Sequence, residues 1–471
     1  MKKEKSIVRI MLQSLAMAVV FGIAMIVLKK QLLQNGQEGI WNVIYSLLFA
    51  DISKAGTKGL GIFYVIQTVF LNGLQLTIVP LVFTSLTLAV SSITEVKKLG
   101  RIAGKTALGF LLLYGLGCLF SGTMALTAVK TGVFKVIEGI VSDTSNIVEV
   151  ESANPMSIIT TMVPNNLTAA FSNNQGVLAV VFVAIIVGLC INQLGKKIPV
   201  FVNLVEEVNK IVEVCINLLI NKAGPIAVFA MISRAFAIYG IERIRPIVVY
   251  ILVTIAVLMV YLFLGYPLVI MATTKLNPIY FMKKIFKVGL FAFTTGSSAA
   301  TLPINRKTNV EELGINEEVA DFTLPLGMTI NMNGTAIMHV IGTVFIATAA
   351  GFHVRVSDVV LMSLIAIAAS AGTPAIPVAG SILLFTVLNG TGFINDSSLM
   401  IYSLILAVNK PVELFLTSLN VVGDACTALM VAHSEGELDT DMYYDHKTYV
   451  DTNTGNDCKA EIVSEAVNEA I

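Results

Sequence analysis

The chain has 471 residues, of which 55% are hydrophobic and 13% charged, against roughly 25% charged in an ordinary soluble domain. Apolar runs of about 20 residues recur, and none alternates every second residue, so the composition excludes a soluble globule and an outer-membrane barrel and indicates a polytopic helical membrane protein. The net charge is zero, which gives no footprint for a nucleic-acid partner. That balance hides an asymmetry: from Glu435 onward there are ten acids and two bases, leaving 29 bases against 21 acids elsewhere. Cys118, Cys190, Cys215, Cys426 and Cys458 are scattered singly, a spacing that fits neither a disulfide framework nor a metal centre.

In chain order, the basic start at Lys2, Lys3 and Lys5 precedes an apolar stretch at 7–28. It is too long for a signal peptide and lacks a small-residue cleavage pattern, so it is expected to stay as a first span. Residues 29–60 hold Trp41 and many turn-formers and are expected at the interface. Spans are predicted at 63–93, 103–129, 177–193, 202–238 (with polar breaks) and 247–272. Residues 130–175 are polar, with Glu138, Asp143, Glu149 and Glu151. Basic clusters at the N-terminus, at Lys97, Lys98, Arg101 and Lys105, at Lys196 and Lys197, and at Lys275, Lys283, Lys284 and Lys287 fall on one side if the spans alternate. The positive-inside rule then puts the N-terminus in the cytoplasm, with Arg243 and Arg245 as weak exceptions.

The second half departs from this regularity. The run from 286 turns at Thr294-Thr295-Gly296-Ser297-Ser298-Ala299-Ala300-Thr301-Leu302-Pro303 into a segment too short and polar to cross. Residues 359–388 are interrupted in the same manner at 371–380, with Pro374 and Pro377. Both read as re-entrant hairpins, the alternative being kinked ordinary spans, and paired interruptions of this kind point to a transporter's binding site. Between them, Asn331-Met332-Asn333-Gly334-Thr335-Ala336 lies inside an apolar run at 322–350. An unpaired polar group in lipid costs several kcal/mol, so this cluster is expected to face protein, water or a ligand. Glycine beside two amides lets a helix unwind and turn its carbonyls towards a cation. The last predicted span, 399–432, carries Asn409, Lys410, Glu413, Asn420 and Asp424. Glu413, Asn420 and Asp424 share one helix face and mark a site. The acidic stretch 435–471 is expected to be a disordered tail.

These motifs, in this order, resemble the dicarboxylate/amino acid:cation symporters, the glutamate, aspartate and neutral amino-acid transporters. The similarity covers nearly the whole chain and is strongest at 291–439. Ser297 to Pro303 is similar to the family's serine-rich tip before Thr-Leu-Pro. Asn331-Met332-Asn333-Gly334-Thr335 is similar to its Asn-Met-Asp-Gly-Thr, and Asn420-Val421-Val422-Gly423-Asp424 to its Asn-Val-x-Gly-Asp. The resemblance implies an all-α polytopic fold of eight transmembrane helices plus two re-entrant hairpins, with inverted repeats. It implies a homotrimer in the plasma-membrane bilayer with both termini cytoplasmic, and a scaffold against which a transport domain moves like an elevator. On that reading residues 1–61 are the first span and interfacial segment, 62–280 hold spans two to six, 281–434 form the transport core and 435–471 the cytoplasmic tail.

The resemblance also implies ligands. One sodium (Na+) site would use Gly327, Asn331 and Asn420 with the Asp424 carboxylate. A second would use Thr329, Ser370, Ala371 and Thr373. A third departs from the family pattern: its aspartate is Asn333 here, and its oxygen-bearing partners in the third span align with Phe110, Leu113 and Tyr114. Fewer coupled sodium ions are therefore expected. His339 lies where some relatives carry a proton-binding glutamate, so it is a possible proton site, the alternative being a neutral histidine bonded within the bundle.

For the amino-acid substrate, Ser298 and Asn420 match the residues that hold the α-carboxylate, Glu413 the one that holds the α-amino group, and Thr417 is a neighbouring hydroxyl. Acidic-substrate members carry an arginine at the position of Leu416, a few instead at that of Gly296. With both absent, the side-chain end of the pocket becomes Leu416, Thr335 and Gly380, which suits a small neutral L-amino acid. Ala375 and Val378 replace glycines of the second hairpin tip and are expected to tighten the pocket or slow the gate. The rival readings are a sodium- or proton-coupled dicarboxylate or acidic amino-acid symporter, and a substrate-gated channel or sensor on the same scaffold. An enzyme is disfavoured, since no catalytic set occurs at helical spacing within the spans.

Overall fold

The structure, a computed structural model, describes residues 2–53, 57–92, 100–137, 163–172, 177–194, 197–240, 245–371, 373 and 379–445. The expectations placed on Lys97, Lys98, Glu138, Asp143, Glu149, Glu151, Lys196, Arg243, Ala375, Val378, Cys458 and the tail beyond 445 fall outside those residues. The described chain is helical, apart from one isolated antiparallel bridge between Ile315 and Leu438.

The helices, in order, are α1 (Lys2–Gln34), α2 (Glu38–Ile44), α3 (Ile62–Ser92), α4 (Gly100–Lys130), α5 (Leu167–Phe171), α6 (Val177–Leu194), α7 (Pro199–Leu218), α8 (Gly224–Tyr239) and α9 (Arg245–Val260). They continue as α10 (Tyr266–Thr274), α11 (Pro278–Thr295), α12 (Ser298–Glu311), α13 (Glu317–Ile330), α14 (Asn333–Ala349), α15 (Val356–Ala371), α16 (Ala379–Gly390), α17 (Asp396–Val408), α18 (Lys410–Glu435) and α19 (Thr440–Tyr443). Among the described residues six helical segments are long and apolar enough to cross a membrane, Glu317–Ala349 counting as one.

Packing sorts these helices into two groups. In the first, α3 lies against α6, α7 and α8, and α8 against α1. In the second, α4 and α9 to α18 pack around α14 and α18. The ends of this second group are tied by polar contacts. Thr106 of α4 meets Thr323 of α13 at 3.2 Å, and Arg101 and Lys105 both reach Glu435, each at 2.5 Å. The groups touch each other as well, for example through the Gln67 side-chain amide, which donates to Ser403 at 3.2 Å. Burial is graded accordingly. Residues 331–350 are all buried, whereas the apolar stretch of α1 is largely exposed and turns its apolar residues outward. A segment shielded all round can carry polar groups for function, because none of them has to meet hydrocarbon.

Three expected spans prove to be interrupted. The predicted segment 202–238 is α7 and α8 joined by a π-helical turn at Leu219–Ala223. A second π turn, Tyr261–Gly265, joins α9 to α10. The extra residue in such a turn shifts the helix face, and here Tyr261 and Tyr266 both end up buried. The last span is not continuous over 399–432: α17 stops at Val408 and α18 starts at Lys410. Pro411 has no N–H to continue the helix ladder, and the Asn409 side chain between them is engaged elsewhere.

The first polar interruption lies within the described residues, and α15 and α16 flank the second. Helices α11 and α12 pack as a hairpin joined only by Gly296 and Ser297, with Gly296 in the left-handed region (φ 60°). Ser297 caps α12 by accepting from the Ala300 N–H at 3.3 Å. Helices α15 and α16 pack on each other and on α14. Residues 436–445, expected to begin the disordered tail, instead fold back. Lys284 donates to the carbonyls of Glu312, Met442 and Tyr443, each at 2.9 Å, and buries Tyr443 against the base of the first hairpin. The sequence shows only an acidic stretch there, because the lysine that organises it is 158 positions away.

Candidate functional site

Helix α13 ends at Ile330 and α14 begins at Asn333, so Asn331 and Met332 form a break inside the shielded segment. A break strands backbone groups, and their partners come from distant helices. The Tyr114 phenol donates to the Ile330 carbonyl at 2.7 Å and accepts the Met332 N–H at 2.8 Å. The Gly334 N–H donates to the side-chain oxygen of Asn420 at 2.8 Å. The Asn420 side-chain nitrogen in turn meets Met332 Sδ at 3.2 Å and Thr335 Oγ1 at 3.4 Å. Thus α18 is stitched to the break by one amide.

Beside it lies the oxygen cluster. Asn331 donates its side-chain N–H to Asp424 Oδ1 at 2.8 Å. Both residues are at most 2% exposed. The other end of that amide, Asn331 Oδ1, is buried with no hydrogen-bond partner. An ionised carboxylate this deep costs several kcal/mol unless an opposite charge accompanies it, and an orphaned acceptor costs about 1–3 kcal/mol more. A bound monovalent cation relieves both. Oxygen donors with a single negative charge are what a hard cation takes, so these residues fit sodium. Gly327 is part of the fit: a Cβ there would lie 2.4 Å from Asp424 Oδ1, so only glycine leaves the carboxylate its place.

The predicted second site is less uniform. The Thr329 hydroxyl is spent on the Leu326 carbonyl at 2.8 Å. Ser370, Ala371 and Thr373 stand at the end of α15, where Thr373 N–H donates to the Ser370 carbonyl at 2.9 Å. At the third position Tyr114 keeps an oxygen where Phe110 and Leu113 have none. Its phenol does reach the break, but as a backbone partner. Asn333 donates to the Tyr266 hydroxyl at 2.8 Å, and that hydroxyl donates to the Leu419 carbonyl at 2.9 Å. Phe110 and Leu113 are buried and apolar.

His339 is fully buried and ties the two arms of the second hairpin region to α14. Its Nε2 is 2.7 Å from the Gly380 carbonyl and its Nδ1 is 3.2 Å from Ser370 Oγ. A carbonyl can only accept, so Nε2 carries the proton, and Nδ1 accepts from the serine. Both nitrogens are used by a neutral ring.

On the substrate side, Glu413 Oε1 accepts from Ser381 at 2.6 Å. Ser381 accepts from the Asn409 amide at 2.8 Å, and Asn409 accepts from the Tyr250 hydroxyl at 3.3 Å. Thr417 donates to the Glu413 carbonyl at 2.8 Å, within the helix. Leu416 is 6% exposed, and its carbonyl lies 2.9 Å from where a Gly334 Cβ would be. A Cβ on Gly380 would sit 3.0 Å from Thr335 Cγ2. Thr335, Gly380, Glu413, Leu416, Thr417 and Asn420 are therefore gathered along one wall formed by α14, α16 and α18. Ser298, 6% exposed, begins α12, whose turn leans on α18: a Cβ at Gly296 would meet Leu414 at 3.2 Å and Lys410 Nζ at 3.9 Å.

Lys410 is the residue that sequence reasoning passed over. The search for a cation considered positions 416 and 296 only. The structure puts the Lys410 ammonium 4.0 Å from Glu413 Oε2, next to Gly296. The signal was present as a lysine one turn before Glu413.

Residues 55–434 match the sodium:dicarboxylate symporter family. An excitatory amino acid transporter of Caenorhabditis elegans is 33% identical over 273 residues, 57% of this chain and 53% of that protein. Human excitatory amino acid transporter 2 is 32% identical over 273 residues, 57% of this chain and 47% of that protein. The chain thus spans about half the length of these curated relatives. A C4-dicarboxylate transport protein of Rhizobium leguminosarum is 26% identical over 415 residues, 84% of this chain and 90% of that protein.

Proposed function

The chain belongs to the sodium:dicarboxylate symporter family, a family of transporters, and from that premise we propose that it couples sodium to symport or exchange of a small neutral L-amino acid. The observation that carries the coupling is the buried Asp424 carboxylate beside the partnerless Asn331 oxygen, which a sodium ion would complete. Gly327, Asn331, Asn420 and Asp424 hold that ion. Thr329, Ser370, Ala371 and Thr373 provide carbonyls for a second. The hydrogen bonds of Tyr114 and Asn333 occupy groups that a third would need, so fewer ions move per substrate than in acidic members.

Ser298 and Asn420 bind the α-carboxylate, Glu413 the α-ammonium, and Leu416, Thr335 and Gly380 close around an uncharged side chain. A second side-chain carboxylate would be buried against Leu416 at a cost of several kcal/mol. The α11–α12 and α15–α16 hairpins are re-entrant, the second being the extracellular gate, and the α14–α18 core slides as an elevator against the α1, α3, α6, α7 and α8 group of a plasma-membrane homotrimer. The gathering of α4 and α9 to α18 around one site supports that division.

One observation favours a second reading. Lys410 supplies a cation in the chamber, which a dicarboxylate or acidic amino acid could use, and the relatives above are named for such solutes. Uptake of a labelled panel into proteoliposomes, with sodium and pH gradients imposed separately, decides between them. Stronger competition by aspartate or a C4 dicarboxylate than by any neutral amino acid overturns the neutral reading. Failure to accumulate solute against its gradient overturns coupled transport in favour of a channel or sensor.

A further inference from the structure

Lys410 is the first residue of α18, a helix start, where the backbone dipole disfavours a cation. Helix stability therefore does not account for it. Its ammonium is 4.0 Å from Glu413 Oε2, and the two side chains are 21% and 7% exposed. The other carboxylate oxygen is held by Ser381 at 2.6 Å, so the carboxylate is fixed and the lysine is the mobile partner. Residues three apart on a helix face each other, so rotation of the lysine side chain alone makes or breaks the contact. Gly296 stands beside the same ammonium: a Cβ there would lie 3.9 Å from Nζ.

We propose that Lys410 is a tethered counter-ion: with no substrate bound, its ammonium takes the place of the substrate's amino group at Glu413. This rests on the reading of Glu413 as the amine-binding carboxylate. An empty transporter must return its binding site across the bilayer, and a lone carboxylate resists that move because burying an unpaired charge is costly. Paired with Lys410, the site returns neutral. An incoming α-ammonium displaces the lysine, whose partly exposed side chain turns away from Glu413. No bond is formed or broken; one ammonium replaces another.

The consequence separates two modes of transport. Exchange uses only the loaded transporter, whereas net uptake needs the empty one to return. The full chain is reconstituted in proteoliposomes, and sodium-dependent L-serine exchange is measured first. Absence of serine exchange in the wild type overturns the amine-site reading itself. Given exchange, Lys410→Met and Lys410→Gln are expected to retain it while net uptake falls at least about tenfold, a change worth roughly 1.4 kcal/mol. The exchange KM for serine is expected to drop, because the internal competitor is gone. Lys410→Arg keeps a cation and is expected to restore net uptake. The proposal is overturned if exchange and net uptake fall together in both variants, or if neither changes. It is equally overturned if wild-type protein is inhibited by aspartate and Lys410→Met abolishes that inhibition, which would make the lysine a substrate anchor.

Discussion

Tyr114 and Met332, 218 positions apart, are joined by a 2.8 Å hydrogen bond from the Met332 N–H to the phenol oxygen. The same phenol donates to the Ile330 carbonyl, so one side chain closes both ends of the helix break. Tyr114→Phe leaves the Met332 N–H and the Ile330 carbonyl only the 3.1 Å bond between them. The expected loss is about 1–3 kcal/mol per group, read as a lower melting temperature of the detergent-solubilised protein. An unchanged melting temperature would contradict this role.

Gly327→Ala tests the cation site without touching a charged group. The new Cβ would lie 2.4 Å from Asp424 Oδ1, so the carboxylate must move. Stability is expected to fall by about 1–3 kcal/mol, as for other overpacked positions. Half-saturating sodium for uptake is expected to rise at least about tenfold, equivalent to roughly 1.4 kcal/mol.

His339 distinguishes a structural clamp from a proton carrier. With both nitrogens engaged by Gly380 and Ser370, His339→Gln is expected to keep the wild-type pH profile of uptake. His339→Ala frees both hairpin arms, and faster hydrogen exchange across α15 and α16 is expected. A pH profile flattened by His339→Gln would establish proton coupling.

Leu416→Arg places a guanidinium at the position proposed to exclude a second carboxylate. Aspartate is expected to become an inhibitor of uptake, and the affinity for neutral amino acids to fall. Retention of the original preference would show that Leu416 does not line the substrate.

The lower ion count proposed above rests on the hydrogen bonds of Tyr114 and Asn333. In parallel vesicle recordings, the charge moved per substrate is expected to be smaller than for an excitatory amino acid transporter. An equal ratio would show that the third cation site persists despite the hydrogen bonds filling it.

The interruptions at 296–297 and 331–332 were readable because amides, serines and glycines are conspicuous inside apolar runs. The face carrying Glu413, Asn420 and Asp424 followed from helical periodicity alone. What could not be read depends on side chains arriving from elsewhere. The resemblance set Tyr114 beside the third cation position, but its closing of the break depends on how α4 lies against α13 and α14. The break at Asn409 was hidden because one amide and one proline weigh little against the apolar residues on either side of them. Lys410 was visible, but its pairing depends on side-chain rotation, which periodicity does not record. The folded-back segment 436–445 was misread because its anchors are backbone carbonyls, which every sequence contains.

The left-handed turn at Gly296 also limits how this protein can change by mutation. The family resemblance makes that position an alternative place for a substrate-reading arginine. Here any L-residue would adopt φ near 60°, at a cost of roughly 1–2 kcal/mol, and its Cβ would press on Leu414 at 3.2 Å. Selection for acidic solutes would therefore meet less resistance at position 416, where the helix accepts a long side chain without backbone penalty. In this lineage the shape of a two-residue corner, more than the chemistry of the pocket, orders which new diets come within one codon.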